Sequence, residues 1–306
     1  MIQSLDPARE NFLASLQLLQ RRITNDQTQL STSLRINKAS DAPGQIGDVV
    51  QLSTDADRAA QIQKNIQLVQ GATNTAESAL QSATQILDQV RAEGAQGASN
   101  TQFTLDRSTL AQQVGQQLSQ LVNLSRTTFA GNYVFSGDSP TQPQYDVNLS
   151  NPNGVDRLMT TQATTQVQDV NGIGFQSSLT AQDIFDHRNP DDSLASNNVF
   201  AAVNSLRVAL QNNDQPGITA ALTNVQNAQD YLNGQLGFYG AVQNRLASSL
   251  TAAQNVQVQW QTSLGQVRDA DIAAVSTDMT AAETNQQAAL AAEAHMPQTS
   301  LFDFLK

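Results

Sequence analysis

Apolar or small residues recur in alternating steps of four and three along two long stretches of the chain. In the first they fall at Ile62, Ile66, Val69, Thr73, Ala76, Leu80, Ala83, Leu87 and Val90. In the second they run through Ile218, Leu222, Val225, Gln229, Leu232, Leu236, Tyr239, Gln243, Leu246, Leu250, Ala253, Gln257, Trp260, Leu264 and Val267. Such a repeat keeps one seam on one side of a helix, and the seam asks for a partner helix. Two stretches of this kind, near opposite ends of one chain, predict a mainly α fold. The expectation is a long antiparallel coiled-coil helical rod built from both chain ends, with a small β-rich inserted domain.

The rest of the pattern subdivides that plan. Phe12, Leu16, Leu19, Ile23, Leu30 and Leu34, interrupted by Asp26, predict a first helix over about 4–35. Asn37 to Gly44 breaks it; Ser40 or Asp41 can cap a following helix, and Pro43 suits a first turn. A second helix is expected over about 42–92, loosened or ended by the stretch from Glu93 to Asn100 with its Gly94 and Gly97. A third, over about 104–129, uses Leu110, Val114, Leu118 and Leu121 and folds back beside the second. From Gly131 the rhythm changes. Asn132-Tyr133-Val134-Phe135 reads as a short strand, Pro140, Pro143 and Pro152 mark turns, and weak alternation at Ala163, Thr165 and Val167 suggests another strand. Phe200, Val203, Leu206 and Leu210 restart a helix, and Asp214 with Pro216 opens a long one to about Leu264. Between Gly265 and Asp271 the seam moves one position, to Ile272, Val275, Met279 and Ala282, which marks a break or stutter. The expected division is an N-terminal helix at 1–40, two halves of the helical rod at 41–130 and 196–264, a β-rich outer domain at 131–195, and a C-terminal helix at 265–306.

Composition narrows the possibilities. Hydrophobic residues are 39% and aromatics 5%, a supply suited to a narrow seam rather than a broad core. The formal net charge of −11 argues against nonspecific nucleic-acid binding, which wants clustered Lys and Arg. The absence of cysteine excludes disulfides and thiolate chemistry. No run approaches the roughly 18 apolar residues of a membrane helix. The N-terminal segment lacks a charged region followed by an apolar one, so no cleavable signal peptide is expected. Charge is also split between the ends. Residues 1–40 hold five basic groups against three acidic ones, and residues 261–306 hold two against six. The terminal helices are therefore expected to pair, apolar seams inside and opposite charges outside, with Arg21 and Arg22 facing the region of Asp269 and Asp271.

Candidate chemistry is sparse. His187 lies near Asp183, Asp186, Asp191 and Asp192, a conceivable cation site or the seat of an enzyme in the middle segment, but the plainer reading is a solvated loop. His295 sits at a helix end. No nucleophile elbow, P-loop or zinc spacing occurs, and Gly172-Ile173-Gly174 is too short for a phosphate loop. Trp260 reads as packing within the seam. No catalytic, cofactor or metal residue is expected. A chain built this way could also be a coiled-coil scaffold that forms a stable dimer.

Several segments resemble the bacterial flagellin family. They are Leu30-Ser31-Thr32-Ser33-Leu34-Arg35-Ile36-Asn37-Lys38-Ala39-Ser40-Asp41-Ala42-Pro43-Gly44, Leu87 to Glu93, Arg268-Asp269-Ala270-Asp271-Ile272-Ala273, and Met296-Pro297-Gln298-Thr299-Ser300-Leu301-Phe302-Asp303-Phe304-Leu305. Within the family, Ser40-Asp41-Ala42-Pro43, Gly131-Asn132-Tyr133-Val134-Phe135-Ser136-Gly137 and Val199 to Leu206 resemble the branch of hook-associated proteins at the hook–filament junction. The Met296-Pro297-Gln298 ending is closer to the flagellins of the filament. The resemblance implies a structural axial protein of the flagellum. It would be exported unfolded, without a cleaved signal, through the flagellar type III apparatus with an export chaperone. It would then self-associate in a helical array, with another hook-associated protein on the hook side and flagellin on the filament side. The resemblance further implies terminal helices that order on assembly, a middle domain that faces outward, and subunit contacts at Phe12, Leu16, Leu19, Ile23, Val275, Met279, Leu290, Leu301 and Phe302, flanked by Arg21, Arg22, Arg35, Asp269 and Asp271.

Overall fold

The structure, a computed structural model, describes residues 7–99 and 104–295. Three helices come first: α1 (Pro7–Thr32), α2 (Ile46–Gly97) and α3 (Thr104–Ser125). Short strands follow: β1 (Thr128–Phe129), β2 (Asn132–Tyr133), β3 (Tyr145–Val147), β4 (Val155–Arg157), β5 (Gln166–Gln168) and β6 (Gly174–Gln176). The chain closes with α4 (Ala181–Phe185), α5 (Val199–Gln211), α6 (Gln215–Arg268) and α7 (Ile272–His295). The strands pair only as antiparallel neighbours, β1 with β2, β3 with β4 and β5 with β6. The fold is thus mainly α, with long helices from both chain ends and a small region of short antiparallel strands, as the hydrophobic pattern predicts. It divides into two compact units. The smaller joins Met1–Arg58 to Gln257–Lys306, and the larger is Ala59–Val256.

In the larger unit the four-three seam is the core. Ile66, Leu80, Leu87 and Val90 of α2 and Val225, Leu232 and Leu246 of α6 are fully buried. Polar seam positions and a neighbour of the seam act as rungs. Gln243 donates to Asn74 Oδ1 at 3.0 Å, Gln229 to Asp88 Oδ1 at 2.6 Å, and Gln63, next to Ile62, to the Ala253 carbonyl at 3.2 Å. Partner numbers rise along α2 as they fall along α6, so the pair is antiparallel. Polar groups at such positions specify register where an all-apolar seam would tolerate slippage.

α2 ends at Gly97, inside the stretch expected to loosen or end it, while Gly94 lies within the helix. A Cβ on Gly94 would come within 2.6 Å of Leu222 Cδ2, and one on Gly97 would strike Leu210. Each glycine costs about 1 kcal/mol of helix propensity relative to Ala. Here they let the helix close against leucines of α5 and α6. Two expectations shift. Thr128 and Phe129, read as helix, form β1, and β2 stops at Tyr133. Phe135 then turns inward and is completely buried, edge-on to Phe185 at 5.8 Å and to Tyr239 at 6.4 Å. Phe185 stacks on Phe200 at 5.6 Å, which lies 5.4 Å from Tyr145. The few aromatics of the chain are concentrated where the hairpins meet the helices.

Candidate assembly interface

In the smaller unit α1 and α7 pack together as an antiparallel pair: Arg22 meets Asp278 at 3.4 Å, and Gln286 Nε2 donates to Gln20 Oε1 at 2.7 Å. Phe12, Leu16 and Leu19 are half-buried, and Ile23 and Asp26 are buried. On α7 the corresponding positions are Val275, Met279, Ala282, Gln286, Ala289 and Glu293. Both series step four-three, so one stripe of each helix faces the other. The seam is shallow. Among its members only Ile23, Asp26 and Ala282 fall in the buried class, at 6%, 7% and 2% exposure.

The turn after α1 ties the two ends of the chain together. Ser33 adopts φ +58°, the left-handed conformation that stops a helix. Its carbonyl accepts from Ala270 N at 3.0 Å, while Arg35 N and Ile36 N donate to the Arg268 carbonyl at 2.7 and 3.2 Å. The Arg35 guanidinium donates to the Val267 carbonyl and to Gln45 Oε1. A cation at the last carbonyls of α6 complements the negative end of its dipole. Asp41 folds the loop by accepting from Asn37 N at 3.0 Å and Lys38 N at 2.8 Å, and Asn37 Nδ2 donates to the Leu34 carbonyl at 2.7 Å. Ile36, buried to 5% exposure, plugs the turn.

Asp26 is the anomaly of this unit. Its Oδ2 is sealed from solvent with no hydrogen-bond partner among the described residues. Burial pushes its carboxyl above the usual carboxylate range; Arg22 opposes the shift and Asp278 adds to it. One polar side chain in an otherwise apolar stripe is the kind of feature that sets register at some expense of stability.

The residues singled out from sequence fall into three groups. Phe12, Leu16, Leu19, Ile23, Val275 and Met279 do lie on the stripes of paired helices. Leu290 is 49% exposed and Ile272 is 42% exposed, so neither belongs to the stripe within the chain. Leu301 and Phe302 lie outside the described residues. The charge pairing differs from expectation. Arg22 meets Asp278 rather than Asp269 or Asp271, because Asp271 caps α7 by accepting from Ala273 N and Ala274 N, and Asp269 lies beside Arg268 at 3.6 Å. Arg21 lines a polar groove with Lys38 and Asp41. Gln286 and Ala289 were missed in sequence because nothing apolar and large marks them; the unbroken four-three count from Val275 was the available signal.

The acidic cluster of the middle region is solvated at Asp183, Asp191 and Asp192, as the plainer reading expects, but not at Asp186. Asp186 is wholly buried. It accepts from Asn198 Nδ2 at 2.8 Å, Arg188 Nε at 2.8 Å, Tyr145 Oη at 3.1 Å and Asn153 Nδ2 at 3.1 Å. Burial together with the Asp186 charge pushes the Tyr145 phenol up, so it stays a donor. Asp192 takes a two-pronged bond from Arg157, at 2.8 and 2.6 Å, which holds its carboxyl below the usual range. Asp183 closes a capping box with Thr180 at the start of α4. His187 stacks on Tyr231 at 4.7 Å. These carboxylates hold protein partners, and among the described residues no group of three His, Cys, Asp or Glu is arranged to hold a metal. Nor is any described helix long and apolar enough to cross a membrane.

Two family descriptions match the chain: the bacterial flagellin N-terminal helical region over residues 7–139, and the bacterial flagellin C-terminal helical region over residues 216–305. The chain belongs to the bacterial flagellin family. The matches cover both helical ends and leave out much of the hairpin region, as expected if the family is defined by its paired ends. Flagellin B of Helicobacter pylori is 29% identical over 118 residues, which are 38% of this chain. That match spans 23% of the curated relative's own length. Among solved structures, this flagellin-family chain is similar to a proposed flagellar hook-associated protein from Vibrio parahaemolyticus, with TM-score 0.64 and 19% identity, covering 75% of this chain and 100% of that one. It is also similar to flagellar hook associated protein-3 from Legionella pneumophila, with TM-score 0.58 and 14% identity over 72% and 98% of the two chains. Bacillus cereus FlgL gives TM-score 0.56 and 17% identity over 70% and 99%. At these identities the likeness is one of fold.

Proposed function

We propose that this flagellin-family chain is a structural protein of the bacterial flagellum that polymerises at the hook–filament junction and connects hook to filament. The observation that carries the reading is coverage. The fold spans nearly the whole of the hook-associated protein-3 and FlgL chains. The motifs Ser40-Asp41-Ala42-Pro43 and Gly131 to Gly137 point the same way.

On this reading the smaller unit is the assembly surface. Phe12, Leu16, Leu19, Ile23, Val275 and Met279 form shallow stripes that neighbouring copies complete. Leu290, Leu301 and Phe302, with Arg21, Arg35, Asp269 and Asp271, make contacts between copies. The larger unit supplies the stiff scaffold, and its hairpin region faces outward. The division into a helix at 1–40, rod halves at 41–130 and 196–264, an outer domain at 131–195 and a helix at 265–306 follows these roles. A neighbouring hook-associated protein lies on the hook side and flagellin on the filament side. Export proceeds unfolded through the type III apparatus, with a chaperone and without signal cleavage, to the flagellum outside the cell. The work is mechanical rather than catalytic.

A second reading, a filament subunit, is favoured by the Met296-Pro297-Gln298 ending and by the stretch shared with Flagellin B. Deletion of the gene separates the two. Intact hooks with flagellin shed into the medium are expected for a junction protein. Loss of flagellin as a product, with nothing shed, would overturn the junction role in favour of the filament.

A further inference from the structure

Where α3 folds back along α2, Gln117 Nε2 donates to Glu93 Oε1 at 2.8 Å. The second oxygen of each group, Glu93 Oε2 and Gln117 Oε1, is sealed from solvent and has no hydrogen-bond partner among the described residues. Two buried acceptors left open at one joint would each cost about 1–3 kcal/mol. Turning the Gln117 amide over gives no relief, since it would set Oε1 against the carboxylate and remove the one bond present. Only a donor resolves the joint, and a carboxylic acid carries one.

We propose that Glu93 holds a proton when α2 and α3 are packed, and that its Oε2–H donates to Gln117 Oε1. The two groups then form a cyclic acid–amide pair joined by two hydrogen bonds, a latch that depends on the proton.

The surroundings support it. Burial pushes the Glu93 carboxyl above the usual range, and the bond from Gln117 opposes this only in part. The charged groups near the joint are engaged elsewhere. Arg91 of α2 donates to Gln226 and Gln229, and Asp88 accepts from Gln229. Arg107 of α3 is spent on the Gly97 carbonyl, Asn213 and Gln215. Arg207 of α5 reaches Asn204, Gln211 and the Leu149 carbonyl. On α6, Asp230 accepts from Gln226. Among the described residues no cation reaches the Glu93 carboxyl to favour its charged form. With the folded value raised, the stabilisation is complete below the ordinary carboxylate value and is lost as pH rises through the raised one.

The chain has five glutamates, so carboxyl carbon-13 NMR of glutamate-labelled full-length protein can follow each. One is expected to titrate above the ordinary range and to vanish in Glu93→Gln. Five ordinary titrations, or a high one that survives the substitution, would overturn the latch. Glu93→Gln also keeps two hydrogen bonds, amide to amide, without a titrating group. Its melting temperature is expected to exceed that of the parent chain by about 2–4 °C above the raised value and to lose that advantage in acid. An advantage independent of pH would count against the proton. If the variant fails to fold, the parent chain's titration decides alone.

Discussion

The two units use the same four-three repeat and reach different ends. In the larger unit the α2–α6 seam is covered by α3, α5 and the hairpins, and Leu80, Leu87, Leu232 and Tyr239 along it are fully buried. In the smaller unit the seam of α1 and α7 has one layer on each side and stays half-open. Equal periodicity therefore does not mean equal stability. A seam with a third and fourth element laid over it is a core. A seam between two helices alone is closer to an interface awaiting more protein.

The sharpest break of that comparison lies in the buried network of the larger unit. Asp186→Ala strands Arg188 beside two asparagine amides and the Tyr145 hydroxyl, and should lower unfolding stability by about 3–5 kcal/mol, measured by denaturant titration. Asp186→Asn should fall between it and the parent chain. Next comes a matched pair of truncations. Leu87→Ala, at a fully buried position, should cost about 2–5 kcal/mol, whereas Leu19→Ala should cost under about 1 kcal/mol in the isolated chain. Polymerisation measured by sedimentation should reverse the order, with Leu19→Ala the more damaging. Equal losses of stability in the two variants would erase the distinction between core and interface.

A smaller effect concerns acid. Because the folded-state carboxyl of Asp26 is raised, its favourable contribution is present below the ordinary aspartate value and lost as pH rises through the raised one. Asp26→Asn should flatten that dependence and slow hydrogen exchange in α1 at neutral pH. An α1 that exchanges identically in both chains at every pH would refute the role. Smallest of all, Arg22→Gln removes a pair in which both side chains are more than half exposed, and should change stability by less than about 1 kcal/mol. A mutant cycle with Asp278→Asn measures it.

What could be read in advance followed the size of the side chains. Ile66, Leu80, Leu87 and Leu246 announce the seam, and Arg35, Asp41 and Pro43 mark the turn after α1. The second half of α7 was obscure because its stripe runs through Ala282, Gln286 and Ala289, where helical repeat and side-chain chemistry part company. Gly94 and Gly97 look like a stop; the helix does end at Gly97, and both are also points of close approach to leucines. Phe135 sits in a strand-like run, but its direction is set by Phe185 and Tyr239, more than forty positions away in sequence. Asp186 gave no sign of burial, since its donors come from Asn153, Asn198 and Tyr145, scattered along the chain.

The backbone join at Leu34 and Asp269 carries a consequence in time. The Arg35 bond to the Val267 carbonyl closes a separation of 232 positions, so α1 meets its partner only after nearly all the intervening chain exists. A chain cut short before α7 would carry the first half of the stripe and never the second. Polymers formed through the joined pair would then be selective for finished molecules, with proofreading of length built into the order of the helices.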